Sequence, residues 1–211
     1  MSEIEEYVKA NTSSHDEGHG LPHALQVCKT SLDIAKENYP SIDTTLLSIC
    51  ALVHDVCDHK FINSESKTKE LYNFLCQRLD KEKTERVMRI TDLVSFSKEK
   101  KKGSTLEGED ELIRMIVADA DRIEALGIVG IKRCYLYTKG ANKEHKFEEN
   151  LKDLIKHAYD KLLRLYPEGY IKTKRGREIA EPLHKETLEI IKKLEQGTIL
   201  ESQLLINQIL T

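Results

Sequence analysis

Leu46-Leu47-Ser48-Ile49-Cys50-Ala51-Leu52-Val53-His54-Asp55 is the stretch on which the fold turns. Leu46, Ile49, Cys50, Val53 and then Val56 with Cys57 recur at three- and four-residue steps. That is the period of a helix, not the two-residue period of a strand. The run is apolar almost all the way round, so the helix it predicts is a buried one. It begins behind Pro40-Ser41-Ile42-Asp43, where Asp43 or Ser41 can cap it. It ends on His54-Asp55, a pair whose burial is costly unless something neutralises it.

The same period recurs outward along the chain. Val27, Ser31, Ile34 and Ala35 mark one amphipathic stripe upstream. Downstream follow Leu71, Phe74, Leu75 and Leu79; Ile113, Ile116, Val117 and Ala120; Leu151, Leu154, Ile155, Ala158, Leu162 and Leu165; and Leu188, Ile191 and Leu194. Only four prolines and ten glycines interrupt 211 residues, and sustained alternation is hard to find. The expectation is all-α: a single compact helical domain over residues 1–195, with a helical extension over 196–211. That extension reads as a packing or oligomerisation helix, with a homodimer as the assembly to test. Gly127 and Gly130, inside the apolar stretch Ala125–Ile131, suit a close helix approach or a bend. Two charge-dense runs, Lys98–Asp110 and Lys139–Lys146, read as loops. The first is a solvated surface or a phosphate-holding loop beside a site.

Composition excludes several function classes. Lys plus Arg is 33 against 36 Asp plus Glu, a net charge of −3, so a strongly basic nucleic-acid module is not expected. No apolar run approaches the roughly 20 residues of a membrane span. The opening residues Met1-Ser2-Glu3-Ile4-Glu5-Glu6 are acidic and lack a signal-peptide pattern. Five scattered cysteines form no CxxC pair and point to reduced thiols in a cytoplasmic protein.

Histidines and acids carry the chemistry. His54-Asp55 can offer one nitrogen and one oxygen to a divalent cation. His23 follows Gly18-His19-Gly20-Leu21-Pro22, at the start of the Val27 helix, where Pro22 suits the first turn. His15, His19 and His23 are spaced by four. Gly18, Gly20 and Pro22 argue against one helix through all three, which leaves His23 as the ligand candidate and His15 and His19 at the rim. Asp119-Ala120-Asp121-Arg122 again interrupts an apolar pattern with acids. Its plain alternative is a helix-surface ion pair.

Together these stretches resemble the HD-domain superfamily of metal-dependent phosphohydrolases, whose signature is H…HD…D. The resemblance is to a small branch with nucleotide pyrophosphatase activity. It rests on His23-Ala-Leu-Gln-Val27, on Ala51-Leu-Val-His-Asp-Val-Cys-Asp-His-Lys-Phe61, on Ser95-Phe-Ser97 and on Val117-Ala-Asp-Ala-Asp-Arg-Ile-Glu-Ala-Leu-Gly127. It extends through His157, Lys161, Thr173 and Ile179-Ala180, and covers roughly residues 10–195. It implies that residues 1–195 form an HD phosphohydrolase domain. It implies that His23, His54, Asp55 and Asp119 ligate the metal, that Asp58 and Lys60 lie near substrate phosphates, and that Asp121 and Arg122 stand behind the ligands. Gln26, Glu124 and Leu183 depart from the Arg, Asp and Arg of the branch, and Pro182 stands beside the last of these.

Two imidazoles and two carboxylates suit Mn²⁺ foremost, with Fe²⁺, Ni²⁺ or Mg²⁺ as alternatives. Such an ion lowers the pKa of a bound water and polarises a phosphoryl group. Asp58 is the candidate to take the water's proton, and Lys60, Arg122 and Lys98 are candidates to hold phosphate oxygens. Plain ion pairing of Lys60 with Asp58, or of Arg122 with Asp121 or Glu124, is the competing reading. The expected activity is hydrolysis of a phosphate ester or anhydride in a nucleotide, cleaving a nucleoside triphosphate to monophosphate and pyrophosphate. A 5′-nucleotidase or phosphodiesterase is the alternative, and a non-catalytic, metal-stabilised binding module is the reading from another class. Tyr135, Tyr137, Tyr159 and Phe61 are candidates to stack on a base, or core residues.

Overall fold

The computed structural model describes residues 1–12, 20–57, 64–95, 104–141 and 144–210. Among these residues every regular element is helical. The α-helices are α1 (Ser2–Thr12), α2 (Leu21–Asn38), α3 (Thr44–Val53), α4 (Ser64–Cys76), α5 (Lys81–Asp92), α6 (Gly108–Ile123), α7 (Gly127–Ala141), α8 (Phe147–Asp160), α9 (Lys174–Gln196) and α10 (Ile199–Leu210). A short 3-10 turn, Leu162–Arg164, follows α8. The chain forms two compact units: α1 to α5 with all but the last turn of α6 make the first, and that last turn with α7 to α10 makes the second.

The first unit is organised by α3. Asp43 caps it, its carboxylate accepting the Leu46 N–H at 2.9 Å. Every residue from Leu46 to Val53 is buried, as an all-round apolar helix requires. Ser48 is tolerated there because its hydroxyl donates to the Thr44 carbonyl at 2.7 Å. α1, α2 and α5 pack directly on α3. α2 presents Ala24, Val27, Ser31, Ile34 and Ala35 to the interior, and Pro22 occupies its first turn as expected. α5 is capped by Asp80, which accepts the Lys83 N–H at 2.8 Å, and buries Thr84, Val87 and Ile90.

The second unit has its own core. Ile131, Tyr135, Leu154, Ala158, Ile191 and Leu194 meet in it, and α10 adds Ile206 and Ile209. Tyr135 is thus a core residue, not a stacking platform. α7 starts at Gly127, whose φ of +67° is left-handed backbone that favours glycine. Its N–H donates to Thr187 Oγ1 at 2.7 Å, and the next N–H, of Ile128, donates to Glu186 Oε2 at 3.1 Å. A Cβ at Gly130 would run into the Ala125 carbonyl, so the second glycine serves a close backbone approach.

Two expected loops are shorter than the charge pattern predicts. α6 already begins at Gly108, and α7 continues to Ala141. In the first case Glu109, Asp110 and Glu111 fill the first turn of α6. Carboxylates are favourable there beside the positive end of the helix dipole, so an acid run that reads as loop is a helix start.

Candidate metal centre

His23 lies in the first turn of α2 and is 6 % exposed. Val27, four residues on, is fully buried, so the same face turns both inward. His54 immediately follows α3 and is 8 % exposed. The two rings meet edge to face, with centroids 5.3 Å apart and planes at 66°.

The protonation of His54 follows from its neighbour. Its Nδ1 lies 2.8 Å from the Ala51 carbonyl oxygen. A carbonyl only accepts, so Nδ1 carries the hydrogen, and in the neutral ring Nε2 presents its lone pair. That Nε2 faces Asp55 Oδ1 at 3.4 Å. The other oxygen of the same carboxylate faces His23 Nε2 at 3.6 Å. In the neutral ring, lone pair against carboxylate is repulsive, and either a cation between them or a second proton on the imidazole relieves it. Adjacent ligands bonded to one ion at roughly 2.1 Å stand roughly 3.0–3.4 Å apart; the His54 spacing falls at the top of that range, and His23 lies slightly beyond it. Fixing one imidazole nitrogen on a carbonyl to aim the other at a metal is a common supporting arrangement.

α6 brings further carboxylates. Asp119 is fully buried. Asp121, two residues on, is half-buried, and its carboxylate forms with His23 and His54 a group whose ligand atoms all lie within 4.8 Å of one another. A spacing of two turns the side chains about 200° apart on a helix, so Asp119 and Asp121 point to different sides. Helical period alone signals that they have different jobs, but it does not say which one faces the histidines. Arg122 is buried and its Nη1 donates to the Tyr170 carbonyl at 2.6 Å. Glu124 has its pKa raised, first by burial and then by the Asp121 charge, with Arg133 pulling the other way. Tyr7, on α1, is pushed up to about 12 by burial first, then by Cys57 and Glu70. Asp58, Lys60 and Lys98, with His15, His19 and Phe61, lie outside the described residues.

No protein-family model matches the chain. It is 30% identical over 199 residues to the uncharacterized protein YpgQ of Bacillus subtilis, covering 92% of this chain and 91% of that one. The chain belongs to the YpgQ family. The crystal structure of Bacillus subtilis YpgQ in complex with ADP superposes with a TM-score of 0.72, at 29% identity, over 92% of this chain and 96% of that one. The family fold is also that of an HD-superfamily hydrolase from Bacillus thuringiensis, with a TM-score of 0.66 at 23% identity over 92% and 94% of the two chains. The all-α expectation for this member of the YpgQ family therefore holds, and its fold is one that an HD-superfamily hydrolase adopts. Among the described residues, no helix is long and apolar enough to cross a membrane.

Proposed function

We propose that this chain is a divalent-metal-dependent phosphohydrolase of the HD superfamily, acting on nucleotides. The observation that carries the reading is the Asp55 carboxylate held between two buried imidazoles, one of which has its Nε2 lone pair fixed toward it. His23, His54 and Asp55 would hold the ion, with Asp119 as the fourth ligand and Asp121 as its competitor for that position. A mixed nitrogen and oxygen set suits Mn²⁺, with Fe²⁺, Ni²⁺ or Mg²⁺ as the other candidates. When bound, the ion supplies an acidified water and a polarised phosphoryl group.

The remaining work falls to this chain's own side chains. Asp58 takes the proton of the attacking water. Lys60, Lys98 and Arg122 hold phosphate oxygens whose charge grows as the bond breaks. The substrate class is supported by the relative crystallised with ADP. Within that class we favour cleavage of a nucleoside triphosphate to monophosphate and pyrophosphate, in the cytoplasm, where five free thiols stay reduced. A homodimer belongs to the same proposal and is read by light scattering.

The test strips the metal, restores Mn²⁺, Fe²⁺, Ni²⁺ or Mg²⁺ in turn, and measures phosphate and pyrophosphate across a nucleotide panel. Pyrophosphate as the product supports the favoured reaction, and orthophosphate supports a 5′-nucleotidase. Bound metal with no product from any nucleotide would mean a metal-stabilised binding module. Asp119→Ala and Asp121→Ala assign the α6 ligand, because the variant that loses the ion identifies it.

A further inference from the structure

α3 and α6 each deliver carboxyl or imidazole groups at their far ends, and they are pinned together at their near ends. Glu109, in the first turn of α6, accepts the backbone N–H of Asp43 at 3.0 Å with Oε1. Asp43 is the cap of α3. The other oxygen of Glu109 accepts Arg86 Nη2 of α5 at 2.8 Å. Arg86 Nε in turn donates to Asp110 Oδ1 at 2.7 Å. One carboxylate thus ties the start of α6 to the start of α3 and to the middle of α5.

The spacing beyond that tie is matched. His54 lies eleven residues past Asp43, and Asp119 ten residues past Glu109. At about 1.5 Å per residue, both stand roughly 15–17 Å along their helices from the shared fastening. An ordinary surface ion pair joins two flexible side chains and tolerates axial slip. Here the donor on α3 is a backbone N–H, which has no rotamer to adjust. Sliding α6 relative to α3 therefore strains this contact, and the Arg86 bond to the other carboxylate oxygen limits how far the Glu109 side chain can follow. The guanidinium end is partly shielded, the Arg86 side chain being 21 % exposed and Asp110 16 %, while Glu109 itself is 39 % exposed.

We infer that Glu109 is a positioning residue for the metal centre: through Asp43 and Arg86 it sets the axial register at which the α6 carboxylate meets His54 and Asp55. This rests on the proposal that α6 supplies a metal ligand. Metal sites tolerate only small errors in ligand distance, so a register error is felt at the ion before it is felt in the fold.

The test titrates Mn²⁺ into the metal-free full-length chain by calorimetry and records the melting temperature of the same metal-free samples. Glu109→Ala is expected to raise the Mn²⁺ Kd about tenfold, the scale of losing a group that orients a ligand. Glu109→Gln, whose carboxamide oxygen still accepts the Asp43 N–H, is expected to stay within about threefold of wild type. Thr198→Ala removes the hydroxyl that accepts the Glu201 N–H at the start of α10. It is expected to lower the melting temperature with the Kd unchanged. Where Glu109→Ala does not fold, Glu109→Asp, shorter by one methylene, is expected to raise the Kd in its place. A Glu109→Ala chain that melts early yet binds Mn²⁺ like wild type overturns the inference, as does a Thr198→Ala chain that loses as much affinity. The wild-type titration comes first: a chain that takes up no Mn²⁺ there overturns the metal reading itself, separately from any variant.

Discussion

At the scale of single residues, the candidate site separates ligands from groups that meet the substrate. His54→Ala removes the imidazole that Ala51 orients, and Asp55→Ala removes the carboxylate between the two rings. Both are expected to abolish metal uptake and turnover together, measured by metal analysis of the purified chain and by product release. Lys60→Ala is expected to keep the metal while turnover falls; equal loss of metal would make Lys60 a structural residue. His184 gives a pH prediction. It stacks on Tyr166 with centroids 5.4 Å apart, and burial holds its pKa below the ordinary 6.5. The unfolded chain then binds more protons than the folded one as pH falls through about 6.5, so stability drops on that side and is intact above it. His184→Gln should flatten this acid limb in melting curves recorded between pH 7.5 and 5; an unchanged limb would assign it to other groups. His54-Asp55 was legible in the sequence because a charged pair ends a wholly apolar helix. The place of Asp121 beside the histidines was not, because packing sets the rotation of α6 about its axis and local spacing does not.

At the scale of elements, legibility follows how much of a helix is buried. α3 can be read from its residues because burial on all sides leaves no polar face to confuse the pattern. The start of α6 cannot, because Glu109 and Asp110 read as the end of a solvated loop until their partners Asp43 and Arg86 are known. α9 shows the opposite case. A proline inside a helical pattern normally marks a boundary, yet α9 runs through Pro182 for 23 residues. Thr173 caps its start by accepting the Gly176 N–H at 3.1 Å, and Thr187, Ile190, Ile191 and Leu194 anchor the half beyond the proline in the core. Pro182 itself is exposed and has no N–H for the carbonyl one turn back. Pro182→Ala restores that donor without emptying a packed position. We expect it to stabilise the chain by about 1–2 kcal/mol, a rise of roughly 2–8 °C in melting temperature. An unchanged or lower value would show that the missing donor at Pro182 costs α9 nothing.

At the scale of the whole molecule, the division into two units leaves no linker to read, because it falls inside α6. No glycine- or proline-rich stretch and no shift in composition marks it. Each unit nevertheless carries its own shielded thiol as a reporter, Cys50 buried and Cys134 partly buried. Cys50, in the first, is fully buried, and burial drives its pKa far above that of a free thiol. Cys134, in the second, is pushed up to about 11, again mainly by burial. Neither thiol reacts readily until its surroundings open, whereas Cys76 is exposed and should be modified first. Thr187→Val removes the hydroxyl that accepts the Gly127 N–H and leaves that buried donor unmatched, a cost of about 1–3 kcal/mol. Because the lost contact joins α7 and α9 within the second unit, opening of that unit becomes easier while the α3 core is untouched. Thiol labelling under native conditions, resolved by peptide mass, is therefore expected to speed up about tenfold at Cys134 and to change little at Cys50. Equal acceleration at both cysteines would show that the chain opens as one cooperative body, with the continuous helix α6 transmitting the loss from one unit to the other.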